Sequence, residues 1–158
     1  MTYKDGSVQY FELSGELVRF QIPNWVNAVS IEIGRGITSI ANAGLFQGDN
    51  VETIVVPDTV TSIGNDAFGY CTKLTSVTLG QNVTSLGDRF IQYSDLTSLS
   101  IPRSVTTIST YALTTGDSTF REVTFEGRTI AEVQAMPNYS WRLWRPQVIH
   151  CTDGDITW

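Results

Sequence analysis

Apolar residues return along this chain with a period near 23. Val51-Glu-Thr-Ile54-Val-Val56 is echoed by Leu74-Thr-Ser-Val77-Thr-Leu79 and by Leu96-Thr-Ser-Leu99-Ser-Ile101. Phe120-Arg-Glu-Val123-Thr-Phe125 and Ala28-Val-Ser-Ile31-Glu-Ile33 extend the series in both directions. A second register runs beside it through Ile37-Thr-Ser-Ile40, Val60-Thr-Ser-Ile63, Val83-Thr-Ser-Leu86 and Val105-Thr-Thr-Ile108. A third holds Gly44-Leu45, Ala67-Phe68, Phe90-Ile91 and Ala112-Leu113. Three registers in phase over about 100 residues define a repeat architecture.

Each unit predicts the same path. In the first segment Val77 and Leu79 point one way and Ser76 and Thr78 the other, which is a strand with one buried face. Pro or Gly ends it, and the V-T-S-I segment makes a second short extended run. Gly64 or Gly87 is expected to turn the chain. The stretch from Asn65 to Cys71 is expected to form one helical or 3-10 turn that plugs the coil with a large side chain. A lone coil cannot bury its apolar side, but stacked coils can, so like residues pile into columns. Adjacent rungs would lie about 4.8 Å apart. Cys71 shares its column with Gly48, Ser94 and Gly116, all small, which places its thiol inside as a small hydrophobe.

The unit L-T-S-V-T-L followed by V-T-S-I-G-x-x-A-F-x-x-C, read from Leu74 to Leu79 and from Val60 to Cys71 of adjoining coils, resembles the BspA-like leucine-rich repeat of bacterial surface proteins. The resemblance covers about Val29 to Phe125. It implies a leucine-rich-repeat solenoid, a right-handed coil with a parallel β-sheet, short helical or 3-10 turns and a β/α cap at each end. It also implies adhesion or the binding of host proteins. The first repeat departs from the pattern with Gly44-Leu45 for Ala-Phe and Gly48 for Cys. Later coils put Ser94 and Gly116 at that Cys position. The tail from Phe125 to Asp155 resembles the C-terminal segment of short repeat proteins of gut bacteria and their phages, which implies a place on a bacterial surface or a phage tail.

The whole chain, 1–158, reads as one domain, with caps at 1–27 and 126–158 around repeats at 28–125. Asp5-Gly6 is a hairpin signal, and Val8 to Leu13 is expected to supply the strand on the rung before the first full coil. Thr129-Ile-Ala-Glu132 is a capping box that opens a short helix carrying Ile130, Val133 and Met136 toward the last coil. Pro137 ends it. Val148 to Cys151 is expected as a last strand, with Asp153-Gly154 turning it back.

Composition narrows the function. Charged residues are 16% of the chain and the net charge is −6. Nucleic-acid binding needs clustered cations, and Arg142 with Arg145 is the one local pair. No apolar run approaches the roughly 20 residues of a membrane span, and no apolar signal core follows the N-terminus. Cys71 and Cys151 show neither zinc nor redox spacing. His150, the one histidine, is expected to point away from Cys151 on the same strand, so the two cannot share a site. Asp153 and Asp155 read as a turn, short of a calcium loop. No catalytic motif is present and no cofactor is implied.

Binding is the remaining class. The outward positions of the long strands are Ser30, Glu32, Thr53, Val55, Ser76, Thr78, Ser98, Ser100, Glu122 and Thr124. They form a ladder of small polar side chains on the expected concave sheet. Such a ladder either takes a protein or glycan, or keeps the face soluble. Tyr70 and Tyr93 occupy equivalent positions in successive coils and are expected to stand exposed on one edge. A threonine column at Thr38, Thr61, Thr84 and Thr106 is similar to the faces of ice-binding solenoids. Trp25, Trp141, Trp144 and Trp158 lie outside the repeats, at the caps. The expectation is a non-enzymatic module recognising a host-surface protein or glycan, without nucleic acid or membrane insertion. The alternative is an assembly component that forms homo-oligomers through a cap or an edge.

Overall fold

The computed structural model describes residues 1–18, 21–22, 25–115, 120–137 and 147–157. Two series of short strands alternate along it. The long-strand series is β3 (Ala28–Glu32), β5 (Thr53–Val55), β7 (Ser76–Thr78), β9 (Ser98–Ile101) and β11 (Glu122–Phe125). The second series is β2 (Gly15–Leu17), β4 (Ile37–Ile40), β6 (Ser62–Ile63), β8 (Ser85–Leu86) and β10 (Thr107–Ile108). Within each series the neighbours are parallel, with Ile31 beside Ile54, Ile54 beside Val77 and Leu99 beside Val123. Ile40, Ile63, Leu86 and Ile108 stack in the second series. This is a parallel β-solenoid of about five turns with little helix.

The columns form one core. Leu45, Phe68, Ile91 and Leu113 are buried in one stack, and Ile33, Val56, Leu79, Ile101 and Phe125 in another. Val77 is partly buried against the same cluster. Phe68 and Phe90 meet edge-on at 6.2 Å. Cys71 is fully buried and its thiol donates to the Leu45 carbonyl at 3.3 Å. Ser94 is buried in the same column, while Gly116 lies outside the described residues.

The plug segments differ from the expected helical turn. Residues 42–47, 65–70 and 88–93 are runs of β-turns, closed by bonds such as Gly69 N–H to Asp66 carbonyl at 3.0 Å and Gln92 N–H to Arg89 carbonyl at 3.0 Å. Alternate N–H groups then donate to the following coil: Ala43 to Asn65 at 2.8 Å, Leu45 to Ala67 at 2.7 Å, Phe68 to Phe90 at 2.7 Å. A helical turn would spend those donors internally. Inter-coil laddering wins because it satisfies buried backbone groups on every rung.

Gly64 and Gly87 serve a different purpose from the expected turn. Neither has a positive φ. A Cβ on Gly87 would sit 2.4 Å from the carbonyl carbon of Gly64, and one on Gly64 would sit 2.6 Å from the Asn42 nitrogen. The coils approach too closely there for any side chain.

At the N-terminal end, β1 (Thr2–Tyr3) and not residues 8–13 takes the rung before β3, and it runs antiparallel to it. The Asp5-Gly6 turn folds Ser7 to Gln9 back along β1, with Val8 opposite Thr2. Residues 8–13 are too exposed at Val8 and Tyr10 to fill a core rung. Leu17 and Ile22 cover the core, and Trp25 is buried with its indole against Gly48.

At the other end the capping box forms. The Glu132 N–H donates to the Thr129 hydroxyl at 3.3 Å, and the Glu132 carboxylate accepts the Thr129 N–H at 2.8 Å. The helix α1 (Ile130–Gln134) buries Val133, and Met136 follows it into the core. β12 (Val148–Cys151) pairs parallel with β11, and β13 (Gly154–Thr157) pairs antiparallel with β12. Arg128 finishes the β10 rung by donating from Nη2 to the Arg103 and Val105 carbonyls, each at 2.8 Å.

Candidate functional site

The outward positions of the long strands form one surface, as their alternation requires. Ser30 and Thr53 are half-buried, and Glu32, Val55, Ser76, Thr78, Ser98, Ser100, Glu122 and Thr124 are exposed. The register places Ser30 beside Thr53, Thr53 beside Ser76, Val55 beside Thr78, and Glu122 and Thr124 beside Ser98 and Ser100. The Thr53 hydroxyl donates to Ser30 Oγ at 2.7 Å. The Ser100 hydroxyl donates to the Glu126 carboxylate at 2.6 Å, and that carboxylate also accepts Gln81 Nε2 at 3.2 Å.

The C-terminal hairpin lengthens this surface beyond the sequence reading. His150 of β12 lies beside Thr124, and Asp155 of β13 beside His150. His150 Nδ1 is 2.9 Å from Asp155 Oδ1, and its Nε2 is 3.9 Å from Glu122 Oε2. The sequence signal for this was the alternation of Val148 to Cys151, which predicts His150 outward and Cys151 inward. Cys151 does pack partly buried against the core. The outward row therefore carries carboxylates at Glu32, Glu122 and Asp155, hydroxyls between them, and no Lys or Arg.

A second surface lies on the turn segments. Tyr70 and Tyr93 are each 39% exposed, with ring centroids 4.5 Å apart and planes tilted by 49°. Phe46 joins them at 4.9 Å from Tyr70. Sequence reasoning missed Phe46 because it sits one position ahead of the tyrosine column. Its ring lies over Gly69, where a Cβ would come within 3.2 Å of it. Asp66 and Arg89, also on these turns, pair at 3.2 Å. The Asp66 hydrogen bond and charge push the Arg89 guanidinium further up.

The remaining candidates resolve individually. The hydroxyls of Thr61, Thr84 and Thr106 donate to the carbonyls of Thr38, Thr61 and Thr84, at 3.3, 2.9 and 3.4 Å, so the threonine column ties rungs together. Burial pushes the Cys71 thiol up to about 12. Burial, then Asp153 and Asp155, raise Cys151. Among the described residues no group of His, Cys, Asp and Glu could hold a metal ion, and no helix is long and apolar enough to cross a membrane. Trp141, Trp144, Trp158, Arg142 and Arg145 lie outside the described residues.

Stacked parallel strands, laddered turns and a column-built core define a leucine-rich-repeat solenoid. The chain belongs to the BspA type leucine rich repeat family, whose model matches six copies over residues 38–136. Solved structures share the fold. A leucine-rich repeat protein from Bacteroides capillosus is 24% identical, with TM-score 0.55 over 63% of this chain and 78% of that one. A leucine rich cell surface protein from Faecalibacterium prausnitzii is 19% identical, with TM-score 0.61 over 80% of this chain and 32% of that one. The pneumococcal vaccine antigen PcpA is 15% identical, with TM-score 0.59 over 63% of this chain and 24% of that one. The chain thus spans a third or less of the last two. No curated protein matches it. Repeats of this family are commonly surface protein-binding modules.

Proposed function

We propose that this chain is a non-enzymatic recognition module for a protein or glycan of a host surface, carried on a bacterial cell surface or a phage tail. The observation that carries the reading is the Tyr70–Tyr93 pair: two large aromatic rings in tilted contact and left exposed, where the fold buries Phe68, Phe90, Phe120 and Phe125. Tyrosine beside an arginine is the composition of interface hot spots. The outward strand face offers hydroxyls and carboxylates on a rigid ladder and serves as the broader contact surface. His150 bonds Asp155 and faces away from Cys151, so it activates no nucleophile there. The cell-surface description of the Faecalibacterium protein supports the location.

The test is binding to a glycan array and to a panel of extracellular protein domains. The double variant Tyr70→Ala, Tyr93→Ala should lose at least about tenfold in affinity for whatever the native chain captures, or about 1.4 kcal/mol. Placing arginine at Ser76 and Ser98 tests the strand face in the same assay. Capture unaffected by both sets, or no capture at all, sinks the reading.

A further inference from the structure

The two most exposed large hydrophobic side chains among the described residues are Tyr10 at 90% and Val8 at 50%. Val8 forms a single bridge with Thr2 on the outermost segment at the N-terminal end, and Tyr10 lies two residues further along the same segment. Ser7 to Gln9 pairs with Met1 to Tyr3 through Tyr3 N–H to Ser7 carbonyl at 2.9 Å and Gln9 N–H to Met1 carbonyl at 3.0 Å. That pattern makes Val8 and Thr2 a non-hydrogen-bonded pair, so the N–H and C=O of Val8 point away from the sheet. No hydrogen bond links the backbone of Val8 or Tyr10 to another described residue. Exposed edges are ordinarily blunted by charge, proline or a bulge. Ser7-Val-Gln-Tyr-Phe11 carries neither charge nor proline.

We propose that this edge pairs with the same edge of a second copy, antiparallel, about a two-fold axis at Gln9. The strand is self-complementary in that register. Val8 of one copy falls opposite Tyr10 of the other, and their outward N–H and C=O groups bond twice on each side of the axis. The facing side chains are a β-branched and an aromatic residue, a favourable cross-strand pair. The charges do not oppose it: Glu12 of one copy falls beside the Lys4-Asp5 turn of the other, whose net charge is zero. An isologous contact of this kind closes at two copies. Because Val8 lies on the face of Thr2 and Ser30, the axis stands perpendicular to the sheet and joins the two outward faces on one side. An edge of five residues buries less than the roughly 1,200 Å² of stable complexes, so the dimer is weak and reversible. This self-pairing does not depend on what the outward face binds.

Sedimentation velocity from about 1 µM to about 1 mM spans the affinities such a contact reaches. The native chain should shift reversibly from monomer to dimer. Val8→Lys places like charges near the axis, and Tyr10→Pro removes an outward donor without touching the Met1–Gln9 bonds. Both should stay monomeric with unchanged melting temperature. Gln9→Cys brings two thiols together across the axis as a non-hydrogen-bonded pair, with Cα atoms about 4.5 Å apart, and should yield a disulfide-linked dimer on mild oxidation. Tyr70→Ala with Tyr93→Ala should dimerise as the native chain does. A native chain monomeric throughout, a dimer untouched by Val8→Lys or Tyr10→Pro, or one abolished by the Tyr70 and Tyr93 changes overturns the proposal.

Discussion

The side-chain oxygen of Asn42 accepts the backbone N–H of Asn65 at 2.8 Å, and Asn65 repeats the act for Asp88 at 2.8 Å. Asp88 does the same for Tyr111 at 3.3 Å. Each coil thus supplies the acceptor for the next coil's N–H at the corner after the second strand. Asn65→Ala strips an acceptor from Asp88 and should cost about 1 kcal/mol, as exposed hydrogen bonds do. Asn65→Asp keeps the acceptor and should cost less. Thermal melts of the two variants, with the native chain as reference, separate the outcomes; equal loss would make the ladder incidental.

Gly87→Ala should be far more damaging than any polar change on the surface. Its Cβ would stand 2.4 Å from backbone of the preceding coil, where no flexible side chain can give way. The cost should exceed about 3 kcal/mol, the range of severe overpacking. Gly6→Ala meets open space but holds a φ of +80°, and should cost only about 1 kcal/mol. Denaturant midpoints decide it, and comparable losses for the two would contradict the packing account.

Both thiols should be slow toward alkylation in the folded chain at pH 8. Cys71, raised to about 12 by burial, should react only on unfolding. Cys151 is less enclosed and should react first. Mass spectrometry after timed iodoacetamide exposure reads the order, and early labelling of Cys71 would mean the coil interior opens readily.

The C-terminal cap should loosen in acid. The Thr129 backbone N–H, followed by Arg103, holds the Glu132 carboxyl below the ordinary Glu value. Its contribution is therefore complete above that ordinary value, near pH 4.3, and is lost as the pH falls through the lowered folded value. Amide protection factors at Ala131 to Val133, corrected for the intrinsic pH dependence of exchange, should fall below about pH 4, and Glu132→Gln should flatten that dependence. Protection factors constant with pH in the native chain would remove the carboxylate from the account.

The columns, the two strand series, the capping box and the final hairpin were all legible, because each follows from side-chain periodicity or a local hydrogen-bond motif. The plug segments were not. A run such as Asn65 to Cys71 has the length of a helical turn, and only the presence of a neighbouring coil makes laddered β-turns the better way to satisfy its donors. Gly87 reads as a turn residue because sequence marks a glycine without saying whether conformation or proximity demands it. At the N-terminus, matching Val8 to Ile31 by offset ignored Met1 to Tyr3, which reach the same rung from the opposite direction. Of the candidate site, the alternation anticipates the outward residues from Ser30 to Thr124 and leaves out the hairpin that adds His150 and Asp155. Phe46 and the His150–Asp155 contact depend on distances between rungs, which no offset reveals.

The coil between Ile91 and Leu99 is one residue shorter than its counterpart between Phe68 and Val77, and no ladder pair joins β7 to β9. The second series stays paired across the same point, β8 to β10, and the turn segments bond across it as well, Arg89 N–H donating to the Tyr111 carbonyl at 3.1 Å. The gap in the long-strand ladder is thus bridged on the other sides of the coil, and the outward row of side chains runs over it on neighbouring rungs that share no backbone hydrogen bond of their own.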